Sequence, residues 1–175
     1  MRRAAGSLVL LAIVAVVVFA DLGDGTRDLP ATGEEGAASG AGQAASALVT
    51  RVVDGDTIEV RIGRAEDDVR YIGIDTPETV KPGEPVQCFG PQSSAANKRL
   101  VEGRKVRLVF DRERRDVYGR LLAYVYRDEV FVNAALVRGG YARTLTITPN
   151  TARAGLFHRL ARDAGRAGRG LWGAC

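Results

Sequence analysis

Histidine occurs once in this chain, cysteine twice, and tryptophan and methionine once each. One imidazole excludes a metal cage built from histidines and a pair of histidines sharing acid and base work. Two thiols cannot form a four-thiolate zinc site. Aromatic residues make up only 6% of the chain, and no internal repeat, glycine triplet or sustained heptad is present, which excludes collagen-like and coiled-coil architectures.

What is present fits one compact domain with a tail. The 175 residues are 46% hydrophobic and 26% charged, enough to bury a core and too short for two full-sized domains. Residues 1–47 carry three basic and five acidic residues, leaving 22 basic and 16 acidic over residues 48–175. The folded part is therefore the basic part, which favours a polyanionic partner such as nucleic acid or an anionic membrane surface.

Met1-Arg2-Arg3 precedes a charge-free stretch from Ala4 to Ala20, with twelve consecutive apolar residues from Leu8 to Phe19. This reads as an export signal, either cleaved after Ala20 as a signal peptide or retained as an N-terminal membrane anchor. Residues 21–46, rich in Gly, Ala, Asp, Glu and Ser, have too little apolar surface to offset their ordering entropy and read as a flexible linker before a domain at 47–175. An exported chain with two thiols implies a disulfide between Cys88 and Cys175.

Along the domain, Leu48–Asp54 and Thr57–Ile62 read as a hairpin around Gly55, Val69–Ile74 as a third strand stopped by Pro77, and Val106–Asp111 and Leu121–Tyr126 as two more. Helical patterns cover Pro91–Val101, Val132–Arg138 and Thr151–Ala167. Strands and helices do not alternate, so the expected fold is α+β: a five-stranded Greek-key barrel of the oligonucleotide-binding (OB) type with three helices. Arg159, Arg162, Arg166 and Arg169 share a face of the last helix and read as a solvated stripe; His158 reads as a surface residue.

Three clusters carry chemistry: Asp54-Gly55-Asp56, Arg70 through Asp75-Thr76-Pro77-Glu78, and Asp116-Val117-Tyr118-Gly119-Arg120. Breaking a phosphodiester demands neutralisation of charge on the phosphoryl oxygens and a water held in line with the leaving oxygen. Guanidinium forks at Arg70 and Arg120 match phosphate oxygens. Asp56 and Asp75 offer oxygen ligands to a hard cation, and Glu78 remains to orient or deprotonate water.

In this order and spacing the clusters resemble the staphylococcal nuclease (thermonuclease) family over about residues 48–173. The resemblance implies an OB-fold hydrolase cleaving phosphodiester bonds of single-stranded DNA and RNA to 3′-phosphate ends. It also implies Ca2+ held by Asp56, Asp75 and the Thr76 carbonyl with Asp54 just outside them, catalysis by Arg70, Glu78 and Arg120, and substrate contact by Tyr118. A secreted or membrane-anchored monomer is expected, and Ala substitution of Arg70, Glu78 or Arg120 is expected to remove turnover while sparing the fold. The chain departs from the family pattern at Leu145 and Ile147, where stacking tyrosines are usual, and at Val117, Gly83 and Glu84, where lysines are usual. Base stacking is expected to be weaker unless Phe89 or Tyr141 substitutes. The rival reading is a non-catalytic nucleic-acid-binding module of the same fold at the cell surface.

Overall fold

The computed structural model describes residues 42–79, 83 and 85–175. The export segment at 1–20, the linker to residue 41 and Glu84 lie outside the described residues. Among those described, no helix is long and apolar enough to cross a membrane.

Five strands close a barrel: β1 (Ala44–Val52), β2 (Thr57–Ile62), β3 (Ala65–Tyr71), β5 (Lys105–Val109) and β6 (Leu121–Arg127). Two-residue strands β4 (Ile74–Asp75), β7 (Val130–Phe131) and β8 (Arg143–Thr144) are added to them. The order β3-β2-β1-β5-β6-β7 is antiparallel throughout, and β3 then pairs in parallel with β6 to shut the barrel, Val69 opposite Leu121 and Tyr71 opposite Ala123. Alternation directs the core. In β5, Val106 and Leu108 are buried while Lys105 and Arg107 face out, as period-two geometry requires. Val49, Ile58, Val60, Val69 and Val125 fill the interior from the other strands.

Helices α1 (Gly90–Val101), α2 (Val132–Arg138) and α3 (Ala154–Arg166) cover the barrel, and a single turn, α4 (Leu171–Ala174), ends the chain. The five barrel strands and three helices match the architecture expected from the pattern, but two strand starts differ. β1 reaches back to Ala44, three residues into the stretch read as linker, because β5 supplies partners for Ala44, Ala45 and Ser46 at Val109, Leu108 and Arg107. β3 begins at Ala65 because Ile62 pairs with Ala65 across a tight turn at Gly63, and that ladder carries the weakly β-forming Glu66, Asp67 and Asp68. Tertiary pairing, not local propensity, decides both.

β3 stops at Tyr71, short of the expected Ile74. Gly73 has a φ of +82°, and a Cβ there would stand 2.5 Å from the Phe157 ring, so only glycine admits both the turn and α3's approach. The chain emerging from this turn forms β4, which pairs with β8 instead of continuing β3.

A disulfide joins Cys88 to Cys175 across 87 positions. It ties the segment between β4 and α1 to the C-terminus. Replacing both cysteines by serine is expected to lower unfolding free energy by up to about 4.6 kcal/mol on the chain-entropy account, read from urea denaturation under non-reducing conditions. An unchanged midpoint would show that the bridge adds nothing to stability.

Candidate active site

The β1–β2 turn sets the first group of residues. Val53 N and Asp54 N both donate to Thr57 O, and Asp54 Oδ1 accepts from Asp56 N at 2.9 Å, an Asp-based turn that aims the Asp56 side chain inward. Gly55 is required here by close approach: a Cβ would stand 2.6–2.7 Å from the Thr76 side chain. The turn is thereby pressed against the chain leaving β4. Asp56 Oδ2 accepts from Thr76 N at 2.7 Å and from Thr76 Oγ1 at 3.0 Å.

Arg70 comes to the same place through the β2–β3 ladder, where it stands opposite Thr57. Its Nε lies 3.2 Å from Asp56 Oδ1, and its Nη2 donates to Asp75 Oδ1 at 3.0 Å. Nη1 donates to the carbonyls of Tyr71 and Ile74 at 2.9 and 2.8 Å, clasping the Gly73 turn. One guanidinium thus links both carboxylates expected to bind metal and the turn that presents the second of them.

Asp56 is only 4% exposed. Burial pushes its carboxyl up to about 7; the Arg70 guanidinium and the Thr76 N–H oppose this, and the charges of Asp54 and Asp75 add to it. The charge of this carboxylate is therefore not fully compensated by protein donors. Together with exposed Asp75, held by the same guanidinium, and the Thr76 carbonyl expected to join them, the donor set is all oxygen and suits a hard divalent cation. Among the described residues no group of three or more His, Cys, Asp or Glu gathers into a metal cage. Two carboxylates and a carbonyl would need water or substrate oxygens to complete a shell.

Arg120 arrives by the barrel's parallel closure, since Arg70 pairs with Leu122, two residues beyond it. Asp116 positions Arg120: Oδ2 accepts from Arg120 Nε at 2.7 Å, while Oδ1 accepts from the backbone N–H groups of Tyr118 and Arg120 at 3.0 Å each. Arg70, Arg120 and Tyr118 line one cavity of about 320 Å3, with Leu145 and Ile147 on its apolar wall. Tyr118 is 81% exposed, its ring 5.4 Å from the Arg120 guanidinium carbon. Phe89 and Tyr141 stack on each other at 5.8 Å and neither lines the cavity, so neither replaces the missing tyrosines there.

Glu78 lies three residues past Asp75. Its backbone is clamped by Gln87, with Gln87 N donating to Glu78 O and Glu78 N donating to Gln87 Oε1, and its Oε1 accepts from Thr79 N at 2.7 Å. It is not among the residues lining the cavity.

Two residues were not singled out for a role from the sequence. Asn97 of α1, fully buried, accepts from Tyr71 Oη at 3.0 Å and donates to Asp54 O at 3.1 Å, pinning the β1–β2 turn from the helix. Its signal was a polar residue at helical spacing among Ser93, Ala96 and Val101. Asp116, the anchor of Arg120, was marked by its position three residues ahead of Gly119, the pattern of an Asp-initiated turn.

The structure revises the expectation that all three Ala substitutions spare the fold. The Arg70 side chain is mostly buried, and truncating it strands two carbonyls and the buried Asp56 carboxylate. Arg70→Ala is expected to cost about 3 kcal/mol and Arg120→Ala, whose single ion pair is solvent-screened, under about 1 kcal/mol; urea titration compares them. The raised Asp56 value also fixes a sign. The folded state holds that proton more tightly than the unfolded chain does, so in EDTA stability falls as pH rises from about 4 to about 7. Calorimetry is expected to show that decline in the native sequence and a flatter one in Asp56→Asn; parallel curves would contradict the assignment.

Comparison with known proteins bears on this arrangement. The family described as Staphylococcal nuclease homologue matches residues 68–174. The thermonuclease of Staphylococcus intermedius is 37% identical over 168 residues, covering 95% of each chain. That of Staphylococcus hyicus is 40% identical over 124 residues, 71% of this chain and 73% of its own. Endonuclease YncB of Bacillus subtilis (strain 168) is 44% identical over 124 residues, 70% of this chain and 59% of that protein. With the match running from within β3 to the last helical turn, and similarity to a relative along almost its whole length, this chain belongs to the staphylococcal nuclease family.

Proposed function

We propose that the protein is a calcium-dependent nuclease that cleaves phosphodiester bonds of single-stranded DNA and RNA outside the cytoplasm, leaving 3′-phosphate ends. The coarser statement follows from membership: the chain is a hydrolase acting on nucleic-acid ester bonds, as the names of its relatives describe. The observation that carries the finer reading is that Arg70 and Arg120, remote in sequence, line one cavity while Arg70 also holds Asp56 and Asp75. Residues 1–20 act, on this reading, as the export signal or anchor, 21–46 as tether, and the domain works as a monomer.

Asp56, Asp75 and the Thr76 carbonyl would hold Ca2+, with Asp54 shaping the turn behind them; the bound cation supplies charge to a phosphoryl oxygen. The chain's own groups do the rest. Arg120 spends Nε and part of Nη2 on Asp116; among the described contacts no acceptor takes Nη1 or the second Nη2 hydrogen, which would serve phosphate oxygens. Arg70 has one Nη2 hydrogen beyond those engaged by Asp75 and the two carbonyls. On this reading Glu78, which lies outside the cavity lining, accepts the proton of the attacking water; the water oxygen bonds to phosphorus as the P–O5′ bond breaks, and the departing 5′-oxygen takes a proton from solvent, giving 3′-phosphate and 5′-hydroxyl products. Tyr118 supports the substrate beside Arg120.

Release of acid-soluble nucleotides from single-stranded DNA tests the reading. EDTA is expected to stop it and Ca2+ to restore it, while Arg120→Ala is expected to lower kcat at least about a thousandfold with the fold intact. Ca2+ at about a hundred times its Kd is expected to raise stability by about 2.7 kcal/mol in the native sequence and not in Asp56→Asn. Retention of an intact oligonucleotide in Ca2+, without digestion, would instead support the binding-module reading.

A further inference from the structure

Arg143 and Asp75 are register partners in the antiparallel β4–β8 pair. Directly opposed residues send their side chains to the same face, with Cβ atoms about 5 Å apart, and opposite charges there ordinarily pair. Here they do not. Asp75 Oδ1 accepts from Arg70, and the Arg143 guanidinium carbon stands 5.7 Å from the centre of the Trp172 ring. Among the described residues no carboxylate pairs with Arg143 and no acceptor takes its side-chain N–H groups, so five donors stand unspent beside the carboxylate expected to hold metal.

Trp172 is 40% exposed, the only tryptophan in the chain, and held in place on α4. Leu171 N donates to Gly140 O at 2.9 Å, and Cys175 is bonded to Cys88. On the other side, Leu145 lies two residues beyond Arg143, about 7 Å along an extended chain, and lines the cavity. A path therefore leads from the cavity wall past Arg143 to a fixed indole.

We infer that Arg143 and Trp172 form a second nucleotide subsite adjoining the cavity, in which Arg143 takes the phosphate next to the scissile one and the Trp172 face stacks the base beyond it. A guanidinium beside an aromatic face is the pairing that holds single-stranded nucleic acid with little sequence preference. A lipid surface also accepts arginine and tryptophan. Placement opposite Asp75 and two residues from Leu145 of the cavity wall favours the substrate strand. The inference rests on the nuclease reading and extends it: this chain lacks tyrosines at 145 and 147 and would gain its stacking one step further along.

Steady-state hydrolysis of a thymidine dinucleotide and of octathymidylate by the full chain tests the subsite. Arg143→Ala is expected to lower kcat/KM for the octamer about tenfold through KM, to leave the dinucleotide unchanged, and to reduce the slope of log KM against log salt by about 0.7. Arg143→Lys is expected to keep that slope. In EDTA, octathymidylate is expected to quench Trp172 emission in the native sequence and to do so about tenfold more weakly in Arg143→Ala. Equal losses on both substrates, no loss on either, or emission that responds to phosphatidylglycerol vesicles and not to the octamer would each overturn the inference. Absence of hydrolysis of either substrate by the native chain would overturn the nuclease reading instead, and the emission titration would still decide the subsite.

Discussion

The parallel pairing of β3 with β6 is the contact on which the site depends. Every other strand pairing in the barrel is antiparallel and can be made by neighbours or by β1 as the hub. This one closes the sheet, and it sets Arg70 opposite Leu122 and hence beside Arg120. A slip of one residue would turn Arg70 from the cavity into the core, because successive side chains point to opposite faces. Val69 and Tyr71, the buried residues flanking Arg70, hold the register against that slip. Hydrophobic burial in the barrel is therefore what positions the cationic pair.

Within that frame Arg70 serves structure and, on the proposed reading, chemistry together. Its contacts to Tyr71 O and Ile74 O close the turn that presents Asp75, and its Nε offsets part of the charge of Asp56. The offset is incomplete, so burial leaves the folded protein with a carboxyl that holds its proton to well above the ordinary carboxylate range. Such a site is poorly suited to stability on its own and well suited to a cation, since a bound divalent charge supplies what the protein donors do not.

Much of this was legible in the chain, for physical reasons that differ from residue to residue. Asp54-Gly55-Asp56 and Asp75-Thr76-Pro77 announce themselves because turn chemistry is local: Asp caps a turn, Gly admits a close neighbour, Pro ends a strand. The alternation in β5 and the spacing of Leu156, Phe157 and Leu160 in α3 are likewise local. The start of β1 at Ala44 was not legible, because Ala-Ala-Ser-Ala has no β preference and is strand only where β5 lies beside it. Asn97 was hidden for the same reason: a helical asparagine becomes a strut only when Tyr71 and Asp54 are brought to it from the barrel. The mutual stacking of Phe89 and Tyr141 joins segments 52 residues apart and could be read only in three dimensions.

The aliphatic wall of the cavity separates two contributions that aromatic residues would mix. Stacking on a base is felt equally by bound substrate and transition state, so on the proposed reading its absence at Leu145 and Ile147 is expected to raise KM and leave the chemical step alone. Arginine contacts to a phosphoryl group strengthen as charge builds on its oxygens, and they strengthen further where apolar side chains keep water away. Leu145, Ile147 and Leu122 line the cavity beside Arg70 and Arg120, and a bound strand covering the exposed Leu145 and Ile147 would complete that lower-dielectric surrounding. On the proposed reading, this cavity grips its substrate loosely by the base and concentrates its interactions on the group that reacts, which is where binding energy accelerates a reaction.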